Sequence, residues 1–325
     1  MSVKKHSMDV CMRQPNSEEI PALRRIWSTA FQSDDDELFF DCWYDPELSL
    51  AAVCGDDAAA AGYLIPAGKL VSGGASFPCA MIYGVATLPE YRNRGFGASI
   101  VKGLIALGKT SGFPAIILCP TEDSLFGYYS ARSDLRDWFY IREQVIETAP
   151  VRESQYALTQ VEPDFYIRQR EKLLVKTPHI SFDLRTMKYQ DSLCRRYGGG
   201  FYHYHSPTGA SCALVEVQSG GEVWVKELLT ADKDGFKDIL PGFLSEISTA
   251  FPSDRYIVRS PTRLNDSQSA GKPEKGHSEH SEVKHSYEPY PVSITRRYGM
   301  LASPEALNMD LHGCAYAPWY GIAFD

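Results

Sequence analysis

Chemistry in this chain concentrates between Thr87 and Ala98. Thr87-Leu88-Pro89-Glu90-Tyr91 leads into Arg92-Asn93-Arg94-Gly95-Phe96-Gly97-Ala98. Phe96, Ile100, Val101, Leu104 and Ile105 then recur at helical spacing, and the stretch before the loop, Ala80 to Val85, is apolar and suits a strand. A strand, a glycine-bearing loop and a helix start, in that order, make an anion site. The first helical amides have no partner inside the helix, and the helix dipole favours negative charge there. Glycine lets backbone come close to a bulky phosphate. The spacing is Arg-x-x-Gly-x-Gly rather than Gly-x-Gly-x-x-Gly. No βαβ unit with a suitably placed acidic residue accompanies it, which disfavours a dinucleotide site.

Arg92-x-x-Gly95-x-Gly97, behind Thr87-x-Pro89 and ahead of an amphipathic helix, resembles the acyl-CoA signature of the GNAT N-acetyltransferases. The fuller wording Gly84-Val-Ala-Thr-x-Pro-x-Tyr-Arg92 is similar to the enhanced-intracellular-survival branch of that family, which builds tandem GNAT-like domains. The resemblance implies a mixed-sheet α+β fold, the GNAT acyl-CoA N-acyltransferase fold, and acetyl-CoA as co-substrate. It implies that Arg92, Asn93, Arg94, Gly95, Phe96, Gly97 and Ala98 wrap the CoA pyrophosphate. It also implies that Val85, Ala86 and Thr87 meet the pantetheine arm and polarise the thioester carbonyl through a backbone N–H. Ser124, on the helix after the fifth strand, joins the expected cofactor contacts.

The family's proton donor is a tyrosine four residues before a Gly-aromatic pair. On Leu125-Phe126-Gly127-Tyr128-Tyr129 that role carries to Tyr129, with Tyr128 in reserve, and the chain departs from the pattern at Ser133-Asp134. The general base is open: Glu37, Asp41, a water chain, or the carboxylate of Asp325, because enhanced-intracellular-survival proteins place their C-terminus in the site. The chain is expected to lack their third, sterol-carrier-like domain. Cys119 is the one candidate for a covalent acyl intermediate, against the family habit of direct transfer. The activity implied is acetyl transfer to a primary amine of a small molecule or peptide. A non-catalytic acyl-CoA-binding or sensory module is the alternative, and an aminoacyl transferase using charged tRNA is a third reading.

The element order has to hold these groups in place. Asn16 to Glu19 starts a helix bearing Ile20, Leu23, Ile26, Trp27 and Phe31, and Asp34 to Glu37 starts another bearing Leu38, Phe39, Phe40, Trp43 and Tyr44. That acidic cluster reads either as charge complementing the helix dipole or as a lip that attracts an amine. Strands are expected at Val10 to Arg13, Leu48 to Cys54, Ala59 to Pro66, up to Val85, and at Pro114 to Cys119, with a closing strand at Trp138 to Ile146. This order matches one whole GNAT domain over residues 1–150.

Residues 151–325 repeat the order more loosely, with a helix at Lys188 to Tyr197 and strands at Phe201 to His205, Ser211 to Gln218 and Glu222 to Leu229. A helix at Asp232 to Phe251, starting late or kinked at Pro241, and a strand at Tyr256 to Arg259 follow. Leu229 to Gly235 lacks the paired glycines and the arginine, so this half reads as a degenerate GNAT-like domain without CoA. Residues 267–286 are too polar to order themselves, and His277, His280 and His285 there read as a solvated loop rather than a metal site. Pro289 to Ala302 and Tyr316 to Phe324 are expected as the last strands.

At 325 residues two domains are the natural division. A formal net charge of −8 argues against a general nucleic-acid binder. Eight scattered cysteines without a C-x-x-C pair read as free thiols of a reducing cytoplasm, with no metal implied. No apolar run approaches the ~20 residues that span a bilayer. A cytoplasmic protein off the membrane, with homo-oligomerisation open, is the expectation.

Overall fold

The computed structural model describes residues 10–31, 36–55, 57–147, 157–206, 209–231, 236–267, 293–303, 311 and 314–322. The chain divides into two compact units. One comprises Met1–Leu70, Ala75–Asp137 and Gly299–Met309; the other comprises Val71–Gly74, Trp138–Tyr298 and Asp310–Asp325.

In the first unit, β1 (Val10–Arg13) is followed by a capped turn. The Asn16 side chain accepts from the amides of Glu18 and Glu19, and the Glu19 carboxylate accepts from the Asn16 amide at 2.8 Å, a reciprocal arrangement that satisfies orphan donors. Arg13 then grips Glu19 with two bonds of 2.7 Å, fixing the strand to the helix start. Helices α1 (Ile20–Phe31) and α2 (Asp36–Cys42) bury Leu23, Ile26, Trp27, Phe39 and Phe40. Strands β2 (Ser49–Cys54), β3 (Asp57–Ser72) and β4 (Ala75–Thr87) follow, β3 running past the expected end at Pro66. Helix α3 (Phe96–Thr110), strand β5 (Ala115–Leu118) and helix α4 (Asp123–Ser130) complete this stretch. The sheet order is β1-β2-β3-β4-β5, with β4 and β5 parallel. Ile100, Val101, Leu104 and Ile105 of α3 pack on Ala80, Ile82, Ile116 and Leu118 as the apolar spacing requires.

The strand expected to close this unit does something else. From Trp138 onward, β6 (Arg136–Ile146) belongs to the second unit, where it pairs antiparallel with β12 (Tyr256–Pro261), Ile146 against Tyr256 through Ile141 against Pro261. The edge of β5 is taken instead by Met300, Leu301 and Ala302 of β13 (Ile294–Ala302), paired with Leu118, Ile117 and Ile116. Nothing local in either segment dictates its partner.

The second unit contains β7 (Leu158–Gln160), α5 (Pro163–Leu174), β8 (His179–Ser181) and α6 (Leu184–Arg196). Then come β9 (Gly200–Ser206), β10 (Gly209–Val217), β11 (Val223–Thr230), α7 (Phe236–Ala250), β12 and α8 (Leu264–Ser267). β9, β10 and β11 are antiparallel, and β11 runs parallel to β12. Two helices, an antiparallel meander, a helix and a parallel strand therefore recur in both units. α5 was absent from the sequence expectation because its polar composition, with Arg170 buried, hides the apolar face. Tyr316 to Ile322 forms single bridges, Tyr316 with Arg263 and Trp319 with His179, in place of the expected strand. Residues 268–292, including His277, His280 and His285, lie outside the described residues.

Candidate active site

β4 and β5 pair only at Cys79–Ala115, Ala80–Ile116 and Met81–Ile117. β4 then continues to Thr87, while β5 stops at Leu118. The strands part there, and the backbone of Val85, Ala86 and Thr87 lies beyond the last pair. Gly84 marks the change: its φ of +59° interrupts the strand. Tyr83 packs toward Trp27 and Phe39, and a Cβ on Gly84 would overlap the Trp27 ring and come to 3.0 Å from Tyr63 Cδ2. Val85 packs on the opposite, α3 side. Neighbouring residues thus face the same way at 83 and 84, as in a bulge.

The loop that follows is a set of tight turns. Pro89–Tyr91 is a 3₁₀ turn in which the Tyr91 amide bonds Leu88 O and the Arg92 amide bonds Pro89 O. Asn93 (φ +62°) and Gly95 (φ +85°) are left-handed. Gly95 is the N-cap of α3 and supplies no capping side chain. The first helical bond runs from the Ser99 amide to Gly95 O, so the amides of Phe96, Gly97 and Ala98 precede it. A Cβ at Gly95 would meet nothing within 4 Å, and one at Gly97 only the Tyr128 hydroxyl at 3.9 Å. These features fit a phosphate: donors at a dipole's positive end, beside space that glycine keeps clear. Arg92 rests its Nε on Thr87 O at 3.2 Å, and Arg94 bonds Glu90 O at 3.0 Å and sits over the Tyr91 ring. Among the described residues neither has a carboxylate partner.

The predicted residues are placed as follows. Arg92, Asn93, Arg94 and Gly95 are exposed on the loop, and Gly97 and Ala98 are half-buried on the first turn of α3. The Phe96 side chain turns inward and joins the core, leaving only its amide to the site. Ser124 is exposed on the first turn of α4, hydrogen-bonded to Glu122 Oε2 at 3.4 Å rather than to the loop.

The two tyrosines diverge. Tyr129 is 9% exposed, inside the cluster that holds Leu118, Phe126, Met300 and Ala302. Burial pushes its phenol up to about 12, with Tyr128 a lesser cause. Tyr128 is half-buried, meets Tyr129 edge-on at 5.2 Å and carries its hydroxyl to Gly97. Ser133, the departure from the family pattern, is a cap. Its amide and hydroxyl both bond Tyr129 O, at 2.9 and 2.8 Å, so it holds the end of α4 where the family has glycine.

Part of the acidic stretch is paired. Asp34 and Asp35 lie outside the described residues. Asp36 is paired with Arg24 at 3.2 Å, and Asp41 with the same guanidinium at 3.5 Å. What borders Gly84 is aromatic: Trp27 stacks on Phe39 at 4.7 Å, with Phe40, Tyr63 and Tyr83 around them. Asp325 also lies outside the described residues, and among those described no cluster of three metal-ligating side chains occurs.

Residues 12–132 match the sequence profile of the acetyltransferase (GNAT) domain. No curated protein sequence matches the chain. Among solved structures, a probable N-acyltransferase of unknown function from Enterococcus faecalis V583 is similar at 17% identity and a TM-score of 0.60, covering 90% of this chain and 72% of that one. A GCN5-related N-acetyltransferase from Anabaena variabilis is similar at 14% identity and a TM-score of 0.60, over 90% and 72%. Eis1 from Mycobacterium abscessus is similar at 13% identity and a TM-score of 0.50, over 77% and 65%. At these identities the likeness is one of fold. It agrees with the profile match over residues 12–132 on one fold.

Proposed function

We propose that the first unit transfers an acetyl group from acetyl-CoA directly to a primary amine of a small molecule or peptide. The observation that carries this is the conjunction at α3: uncapped amides of Phe96 to Ala98 open beside the parted end of β4, with Tyr129 buried in the same unit. Arg92, Arg94 and the α3 amides would hold the pyrophosphate. An amide of the Val85 to Thr87 stretch would receive the oxyanion that develops on the thioester carbonyl. The ammonium first gives one proton to solvent, leaving a neutral amine. As its nitrogen bonds the acyl carbon, the carbon–sulfur bond breaks and the departing sulfur takes the Tyr129 proton. The nitrogen's second proton is lost as the amide forms, and through solvent it restores the Tyr129 phenol. Positioning of the two substrates supplies much of the acceleration.

The acceptor is read as an amine on a compact body rather than a polycation. Asp36 and Asp41 are engaged by Arg24, and the surface next to Gly84 is aromatic. The alternative of a non-catalytic binder drew on the Ser133-Asp134 pair; Ser133 there bonds Tyr129 O and ends α4, a structural use that does not itself argue for lost turnover.

Thermal-shift titration with acetyl-CoA, free CoA and NADH tests the reading. A ligand bound only by the folded state raises the melting point. Acetyl-CoA and CoA are expected to stabilise the wild type and not the Arg92→Ala, Gly95→Glu variant, with NADH inert. The absence of a shift with any CoA species overturns the proposal.

A further inference from the structure

Arg132 stands just beyond α4. Its guanidinium lies over the Tyr128 ring, with Cζ 4.4 Å from the ring centre. Its Nη1 bonds Tyr128 O at 3.4 Å, and its amide bonds Tyr129 O at 3.1 Å. Among the described residues it has no carboxylate partner, whereas its neighbour Lys109 is paired with Asp134 and Arg136 is spent on the carbonyls of Ser133 and Leu135. Tyr128 carries that guanidinium to the phosphate loop, because its hydroxyl is the one atom standing over Gly97.

A stacked arginine is held in place without losing any of its donors to an ion pair, and its planar fork suits a phosphate. Arg92 and Arg94 occupy the loop itself, next to the amides of Phe96 to Ala98. Arg132 lies on the ring whose hydroxyl stands over Gly97, so it offers its fork from beside the loop and not from within it, a second phosphate contact distinct from the one the amides make.

We infer that Tyr128 and Arg132 form a platform and clamp for the 3′-phosphate of the acyl donor's adenosine, making this site selective for CoA over donors that lack that group. This rests on the acyl-CoA reading above. It also gives Tyr128 a binding role in place of the acid role held in reserve for it.

The test compares acetyl-CoA with acetyl-dephospho-CoA, which keeps the pyrophosphate and pantetheine and lacks only the 3′-phosphate. Dissociation constants are measured by calorimetry on the full chain. Wild type is expected to bind acetyl-CoA roughly tenfold to a hundredfold more tightly, the usual range for charged hydrogen bonds. Arg132→Ala should lose that preference while binding acetyl-dephospho-CoA as well as wild type does. Tyr128→Phe, which keeps the ring, should retain the preference, and Tyr128→Leu, which removes it, should weaken it. Equal loss of both ligands in Arg132→Ala would assign the arginine to the pyrophosphate and overturn the inference. So would a wild type that binds the two donors equally. A wild type that binds neither donor would overturn the acyl-CoA reading itself, a different result from either of those.

Discussion

Replacing Tyr129 by Phe separates chemistry from packing at one atom. The ring is 9% exposed and lies among Phe126, Leu118, Met300 and Ala302, so the phenylalanine keeps nearly all of the buried surface. Among the described residues no group hydrogen-bonds the hydroxyl, so none is orphaned when it goes. Stability should stay within about 0.5 kcal/mol of wild type. Affinity for acetyl-CoA should stay within about twofold, because the loop amides and arginines are untouched. The turnover rate, followed by release of free thiol, should fall by roughly 10²–10⁴, the usual contribution of a general acid. The pH profile gives a second reading. With the phenol raised to about 12, roughly 0.1% is ionised at pH 9, against about 10% for an unperturbed tyrosine. Wild-type kcat should therefore show no descending limb from Tyr129 below about pH 10. Two results would refute the assignment: kcat in Tyr129→Phe within about threefold of wild type, or a melting point several degrees lower, which would make the hydroxyl structural.

Other outcomes follow from particular contacts. Gly84→Ala must adopt a left-handed backbone and push aside Trp27 and Tyr63, so it should cost about 2–5 kcal/mol in urea unfolding; a cost under 0.5 kcal/mol would contradict the bulge. Residues 1–150 expressed alone lack Met300 and Leu301, both fully buried against β5, and lose about 3–6 kcal/mol of apolar burial; their circular-dichroism melt should show no cooperative transition. Arg170→Ala leaves the Glu227 carboxylate, 0% exposed, without its cation and should destabilise by about 3–5 kcal/mol in the same unfolding assay. Tyr129 also bears on alkaline stability. Its folded pKa is raised, so the unfolded chain ionises first as pH climbs past 10, and its contribution to stability should decline between about pH 10 and 12 in wild type but not in Tyr129→Phe.

The loop was legible because its signal is local. Arg92, Gly95 and Gly97 sit where the turn and the helix N-terminus need them, and the apolar spacing of α3 fixes where that helix begins. The place of Tyr129 on a helix after β5 was legible in Leu125-Phe126-Gly127-Tyr128-Tyr129, and Ser133 bonds back to that helix at its end. What escaped depends on partners far away in sequence. Nothing in Trp138 to Ile146 says that it pairs with Tyr256 to Pro261, nor in Met300 to Ala302 that it borders β5. The pairing of Asp36 and Asp41 with Arg24 was not legible, because Arg24 lies a helix away from both. Arg132 gave no signal at all: its role depends on a ring it covers and on where that ring's hydroxyl ends.

The two units share an order of elements, and they differ where their parallel strands part. Counted from the last parallel pair, Met81–Ile117 in one and Val225–Val258 in the other, Tyr83 and Glu227 hold the same position. Beyond Tyr83 comes Gly84, then backbone with no neighbouring β5 residue to meet. At Glu227 the carboxylate accepts Tyr166 Oη at 2.8 Å, Arg170 Nε at 2.9 Å and Trp319 Nε1 at 2.6 Å. Arg170 adds bonds to Ile180 O at 2.6 Å and Tyr320 O at 3.2 Å, and Gly321 lies too close to the carboxylate to carry a Cβ. A charge so deeply buried is tolerated because its lone pairs are taken and its cation is adjacent. The same network draws the segment at Trp319 and Tyr320 onto β11. The second unit thus fills with its own chain the counterpart of the region that the proposed function gives to acyl-CoA in the first, and its sequence at 229–235 has no arginine or paired glycines.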